Sequence, residues 1–154
     1  MILKDDLLLG NIIINPVVKD RWELIRLVID NGCRNNYIEP EVSENIVQSL
    51  YEREEVMSTG VGNFIAIPHC NVDFIDKVKI FLVISSEGIN FDSIDGLPAK
   101  IIIILIVPVS KKQEHVRTLA SIARVLIDDN FKNELLKKTT SEEVTAYFKE
   151  NLED

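Results

Sequence analysis

The sequence predicts an α/β fold: a three-layer α/β/α sandwich built on a central mixed β-sheet. Three observations point to it. Helical apolar spacing fills the stretch before residue 56 and returns after residue 110. Between them lie β-type runs at 64–67, 78–85 and 101–107, with a shorter candidate at 89–94. The run at 101–107 is apolar throughout, the mark of a strand covered on both faces. With 154 residues the chain reads as one domain, 1–154, long enough to bury roughly 70% of its unfolded surface.

Taken in order, Ile12-Ile13-Ile14 is a candidate first strand. Asp20-x-x-Glu23 is a capping box, and Leu24, Leu27 and Val28 are spaced for a helix closed by Gly32. Pro40 opens a second helix with Val42, Ile46, Val47 and Leu50 on one face, ending near Glu55. The strand at 64–67 should stop at Pro68, which fixes φ and offers no amide donor. Asp95-Gly96 reads as a hairpin turn between the 89–94 candidate and the run after it. Ser110-x-x-Gln113 caps a helix whose expected buried stripe is Val116, Leu119, Ala120, Ala123, Leu126 and Ile127. A helix from about Phe131 and one opened by Thr140-x-x-Glu143 complete the chain.

Composition narrows the function. Seventeen Lys and Arg against 25 Asp and Glu give a net charge of −8. Nucleic acid is excluded as a partner, because neutralising phosphates needs clustered cations; a basic protein partner is not. Cys33 and Cys70 fit neither a disulfide framework nor a C-x-x-C motif. Lys4, Asp5 and Asp6 precede any apolar run, so no signal peptide is expected. The longest apolar run, 101–109, is too short to span a bilayer, and the expected compartment is the cytoplasm.

The stretch from Ser58 to His69 carries the chemistry. A small polar loop containing Gly60 and Gly62 runs into a short apolar strand that delivers one of only two histidines. Imidazole is nucleophilic when neutral and can carry a covalent group. Arg53 sits near the end of the second helix, where a cation complements the helix dipole and a guanidinium can hold phosphoryl oxygens. With Glu52, Glu54 and Glu55 beside it, the plain alternative is a solvated charged turn. His115 falls early in the helix capped by Ser110, beside its apolar stripe, and reads equally well as a boundary residue. His69 itself has the alternative of an ordinary core or surface histidine. His69, Cys70, Cys33 and His115 lack metal-ligand spacing, and adjacent His69 and Cys70 would point apart in extended backbone. No Gly-Lys-Ser/Thr follows the glycines, so no phosphate loop for nucleotides exists. No cofactor or metal is expected.

Arg53-Glu54, the loop Ser58-Thr59-Gly60-Val61-Gly62-Asn63 and the segment Ile65-Ala66-Ile67-Pro68-His69 resemble, in that order, a known signature. It is that of enzyme IIA domains of the fructose/mannitol class, from the bacterial phosphoenolpyruvate-dependent sugar phosphotransferase system. Phe91 through Asp95-Gly96, Val107-Pro108, Glu114-His115 and Leu119-Ala120 through Leu126 extend the likeness nearly end to end. The resemblance implies a phosphotransferase that carries phosphate on a histidine. It would accept from phospho-HPr and donate to a IIB domain, touching the membrane permease only through IIB and IIC. Carried over, His69 matches the phosphorylated residue, and Arg53 and His115 match the active-site arginine and second histidine. Ser58, Thr59, Gly60 and Gly62 match the surrounding phosphate loop. Cys70 stands where many fructose-class and nitrogen-type members have glycine, which leaves the sugar open. Nitrogen-type IIA paralogues, whose phosphorylation state controls the targets they bind, resemble the chain equally well and define the alternative function.

Overall fold

A computed structural model describes residues 11–151, apart from the side chains of Lys112, His115, Thr118, Leu119, Ile122 and Ala123. In chain order the elements are β1 (Ile12–Ile14), α1 (Arg21–Arg34), α2 (Pro40–Val56), β2 (Gly60–Gly62), β3 (Ile65–Ala66) and β4 (His69–Val72). There follow β5 (Lys79–Ile89), β6 (Ala99–Pro108), a 3-10 turn (Val109–Lys111), α3 (Lys112–Leu126), α4 (Asp129–Leu136) and α5 (Ser141–Asn151).

The strands form one mixed sheet in the order β1-β5-β6-β3-β2, with β4 also paired to β6. The β5–β6 pair is antiparallel, whereas β1 runs parallel to β5, and both β3 and β4 run parallel to β6. Strand β6 is the spine. Its pleat sends Ile101, Ile103, Leu105 and Val107 into one core and Ile102, Ile104 and Ile106 into the other. The first core is closed by Leu126, Phe131, Leu135, Val144 and Phe148 from α3, α4 and α5. Leu24, Ile25, Val28, Ile29, Ile46, Val47 and Leu50 from α1 and α2 close the second. These are the three expected layers.

Local chemistry explains the helix boundaries. Asp20 accepts the Glu23 amide at 2.9 Å as N-cap of α1, and Pro40 is the first residue of α2. Thr140 Oγ1 accepts the Glu143 amide at 3.1 Å ahead of α5. Gly32, however, does not end α1, which continues to Arg34 with Asn36 taking the left-handed conformation (φ 59°). Glycine is needed at 32 for proximity: a Cβ there would lie 2.9 Å from both Ile38 Cγ1 and Phe81 Cζ. Gly32→Ala should therefore lower stability by about 1 kcal/mol, since overpacking costs about 1–3 kcal/mol and helix propensity returns up to about 1. Urea unfolding checks this; a variant as stable as the parent would show that the ring and Ile38 yield freely.

Other expectations change as well. The strand does break before Pro68, β3 ending at Ala66, but His69 opens a new strand rather than a loop, with Leu105 N donating to Pro68 O at 2.9 Å and His69–Val72 registered against Leu105–Pro108. Proline interrupts only the donor side, and its carbonyl still accepts from β6. The strand before it is shorter than 64–67, because Phe64 is left-handed (φ 67°) and closes a turn with Asn63 (φ 58°). The 89–94 candidate is not a strand; β5 runs on to Ile89 past a register shift, and 90–98 forms the connection to β6. Within it Gly96 (φ +73°) does make the expected turn, donating to Ser93 O at 2.9 Å.

The α3 stripe is also rotated. Val116 and Ile127 are 68% and 76% exposed and Ala120 is exposed, whereas Leu126 is buried. At 100° per residue Val116, Ala120 and Ile127 share one face, and Leu126 lies about 100° from its centre, on the adjacent face. Leu119 and Ala123 lie outside the described side chains.

Candidate functional site

The end of α2 and the start of β4 meet across the short β2–β3 hairpin. Arg53, in the last turn of α2, donates from Nη1 to Met57 O at 2.7 Å, where the helix leaves its carbonyls unsatisfied. The chain then turns through Ser58 and Thr59 into β2, which pairs antiparallel with β3. Gly62 (φ +90°) is bound to its conformation, and a Cβ on it would press on the Asp95 carboxylate at 3.1 Å. Asp95 accepts the Asn63 amide at 2.8 Å, and Lys132 Nζ donates to Asn63 O at 3.2 Å while pairing with Asp129 at 3.0 Å. The tight turn is thus held from both sides. Gly60 is required for another reason: a Cβ there would overlap Ser93 Oγ.

His69 is half-buried at the first position of β4. Its Nδ1 lies 2.7 Å from Ile67 O. A carbonyl only accepts, so Nδ1 carries the proton of the neutral ring and the lone pair is at Nε2. Burial is the main cause that holds the His69 pKa below the ordinary histidine value; the Ile67 hydrogen bond opposes it, Arg53 lowers it further and Glu54 raises it. The ring is mostly neutral at pH 7 and its nucleophilic nitrogen is defined.

The loop donors are engaged within the protein. Ser58 Oγ donates to Phe91 O and accepts the Gly60 amide at 3.0 Å. Thr59 is buried and gives both its amide (2.9 Å) and its hydroxyl (2.5 Å) to Glu54. Arg53, whose charge acts on the ring, and Thr59, whose carbonyl accepts the Ile67 amide at 3.0 Å, adjoin His69; Gly60 follows opposite Ala66, and Gly62 lies at the turn end of the hairpin opposite Ile65. His115 lies in the first turn of α3, the helix that follows β6, and its side chain is outside the described residues.

Cys70 faces away from His69, among Ile46, Leu50 and Val72 under α2. Burial pushes its thiol up to about 12, so it is neither a thiolate nor a nucleophile at neutral pH. Cys33 is a half-buried free thiol in α1. Among the described residues no group of three or more His, Cys, Asp or Glu is arranged to hold a metal ion, and no helix is long and apolar enough to cross a membrane.

Sequence reasoning gave Glu54 no role of its own, naming it only within the solvated charged turn that was the alternative reading of Arg53. Glu52 and Glu55 are exposed, but Glu54 is only 2% exposed and lies 3.4 Å from Arg21 Nε. The signal was present: Glu54 follows Leu50 at i+4 on the buried face of α2. Asp95 and Lys132, which brace the hairpin, left no comparable pattern.

A half-buried neutral imidazole beside a guanidinium on a braced loop is the equipment of a group-transfer carrier. The family described as phosphoenolpyruvate-dependent sugar phosphotransferase system, EIIA 2, matches residues 7–151, and the chain belongs to it. It is therefore a phosphotransferase-system EIIA component, a phosphoryl carrier. The mannitol-specific phosphotransferase enzyme IIA component of Geobacillus stearothermophilus is 32% identical over 143 residues, 91% of this chain and 92% of the relative. Nitrogen regulatory protein IIA-Ntr from Neisseria meningitidis superposes with a TM-score of 0.85 at 25% identity, covering 96% of this chain and 99% of that one. Enzyme IIA-mannitol of Escherichia coli, in complex with phosphorylated enzyme IIB-mannitol, gives 0.74 at 25% identity over 92% and 96%.

Proposed function

We propose that His69 accepts a phosphoryl group on Nε2 from the phosphohistidine of HPr and passes it to a cysteine or histidine of a IIB partner, serving sugar uptake from the cytoplasm. The observation that carries the reading is the Nδ1–H···O=C bond to Ile67, which leaves Nε2 as the attacking atom. A bond forms from Nε2 to phosphorus as the donor's P–N bond breaks, and the donor imidazole leaves with the electron pair. The His69 ring keeps its Nδ1 proton and gains positive charge, which the Ile67 carbonyl stabilises. Arg53 supplies charge to the phosphoryl oxygens and His115 a hydrogen bond, while Ser58, Thr59, Gly60 and Gly62 hold the loop that positions them.

The test is incubation with enzyme I, HPr and phosphoenolpyruvate, then with candidate IIB proteins. One phosphate on His69, discharged by a IIB protein, is expected; a protein that takes no phosphate overturns the reading. The likeness to IIA-Ntr favours a second reading, a regulator whose phosphorylation state controls its targets. That reading requires a phosphorylated protein that no IIB protein discharges and targets that distinguish the two forms.

Two further results are expected. The His69 pKa, read by NMR, should lie below the ordinary ~6.5, so acceptance should be flat above pH 7 and fall only as the ring protonates at lower pH. An inflection above 6.5 would contradict the burial argument. Cys70→Ser or Cys70→Gly should keep acceptance within a small factor, because the side chain lies on the other face of β4. A loss as large as that of a His69 substitution would place Cys70 in the reaction.

A further inference from the structure

We propose that Glu54 is a positioning residue for His69, fixing the imidazole through Thr59 and Ile67; the proposal rests on the phosphocarrier reading above. The connection is continuous. Glu54 takes the Thr59 amide on Oε2 and the Thr59 hydroxyl on Oε1. Thr59 O accepts the Ile67 amide at 3.0 Å, and Ile67 O accepts His69 Nδ1–H at 2.7 Å. Every residue between the carboxylate and the ring is therefore held at both ends.

The burial itself demands a reason. Position 54 lies on the face of α2 that carries Leu50 and Val47, where an apolar residue would extend the core. A carboxylate there costs several kcal/mol of desolvation, which the partner Arg21 and the two Thr59 bonds offset only if their geometry is good. Packing does not require that arrangement; a fixed Thr59 does. If Thr59 shifts, the Ile67 carbonyl shifts with it, and the proton that defines Nε2 as the nucleophile is no longer held on Nδ1. The negative charge also matters once phosphate arrives, because the ring then carries positive charge. Arg53 from α2 opposes that charge and Glu54 favours it, while Arg21 from α1 pairs with Glu54.

The experiment uses Glu54→Gln, which keeps size and removes charge and one acceptor. Nitrogen NMR of the unphosphorylated protein reads the His69 tautomer and pKa, and single-turnover transfer from phospho-HPr reads the rate. Glu54→Gln should lower the fraction protonated on Nδ1, lower the His69 pKa and slow acceptance about 10-fold, the lower end of what groups orienting a reacting side chain contribute. The final extent of phosphorylation should be unchanged, and Glu54→Asp, which keeps the charge, should restore the pKa. A folded Glu54→Gln protein with parental tautomer, pKa and rate overturns the proposal. Should that variant not fold, Thr59→Val removes only the hydroxyl bond: a smaller change in the same direction supports the proposal, and none overturns it. If the parent protein itself accepts no phosphate, the phosphocarrier reading fails, while the tautomer measurement still decides the role of Glu54.

Discussion

His69→Ala is expected to abolish phosphoryl acceptance from phospho-HPr while the fold persists. The substitution removes the Nε2 lone pair, and among the described side chains around it Cys70 is a buried thiol on the opposite face and the Ser58 and Thr59 hydroxyls are engaged within the protein. The structural cost is small. His69 is half-buried, and its hydrogen bond to Ile67 O contributes about 1 kcal/mol. Circular dichroism and thermal unfolding should match the parent closely, while acid-labile phosphate falls to background. A stable acid-labile phosphate on the His69→Ala protein would sink the assignment.

Arg53→Ala should slow transfer without stopping it. The nucleophile and its tautomer remain, but the charge that offsets the phosphoryl oxygens is gone. Loss of one well-aligned donor to a developing charge costs about 10²–10³ in rate, and a partly exposed guanidinium should fall at or below that range. The Met57 carbonyl also loses its partner, so some of the effect enters through the loop. Arg53→Lys separates the two: a point charge restores electrostatics but not the planar fork, and partial recovery is expected. Because Arg53 lowers the His69 pKa, Arg53→Ala should raise it, opposite in sign to Glu54→Gln. His115→Ala should act in the same direction as Arg53→Ala on the rate. Parental rates in both would leave His69 as a carrier without help from this pair.

The layers and most helix boundaries were legible because each rests on local chemistry: Asp20, Pro40 and Thr140 act within their own turn, and the apolar run of β6 needs no partner to be recognised. His69 was legible as a site because loop, proline and imidazole are contiguous in sequence. What escaped depends on partners distant along the chain. That pairing resumes beyond Pro68 is decided by β6, whose Leu105 amide donates to the Pro68 carbonyl. That position 32 needs glycine inside the helix is decided by Ile38 and Phe81. Periodicity gave α3 an apolar stripe but not the rotation that α4 and the sheet impose on it. Glu54 illustrates the same limit at the site: its charge suggested solvent, and only the fold supplies Arg21 and Thr59 around it.

The order of the sheet has a consequence for the protein's fate in solution. Among the described residues the strands at the sheet margins are short, β1 and β2 with three residues and β4, paired only with β6, with four, whereas the inner β5 and β6 have eleven and ten. The isoleucine-rich segment of β6 combines high β-propensity with almost no charge, the composition that stacks into fibrils when left unpaired. In the native protein β6 is paired on both sides, to β5 on one and to β3 and β4 on the other, and the strands left at the margins are short. Aggregation should accordingly track the unfolded fraction rather than the total protein concentration. Substitutions that loosen the core would then cost yield through insolubility before they cost activity in the molecules that fold.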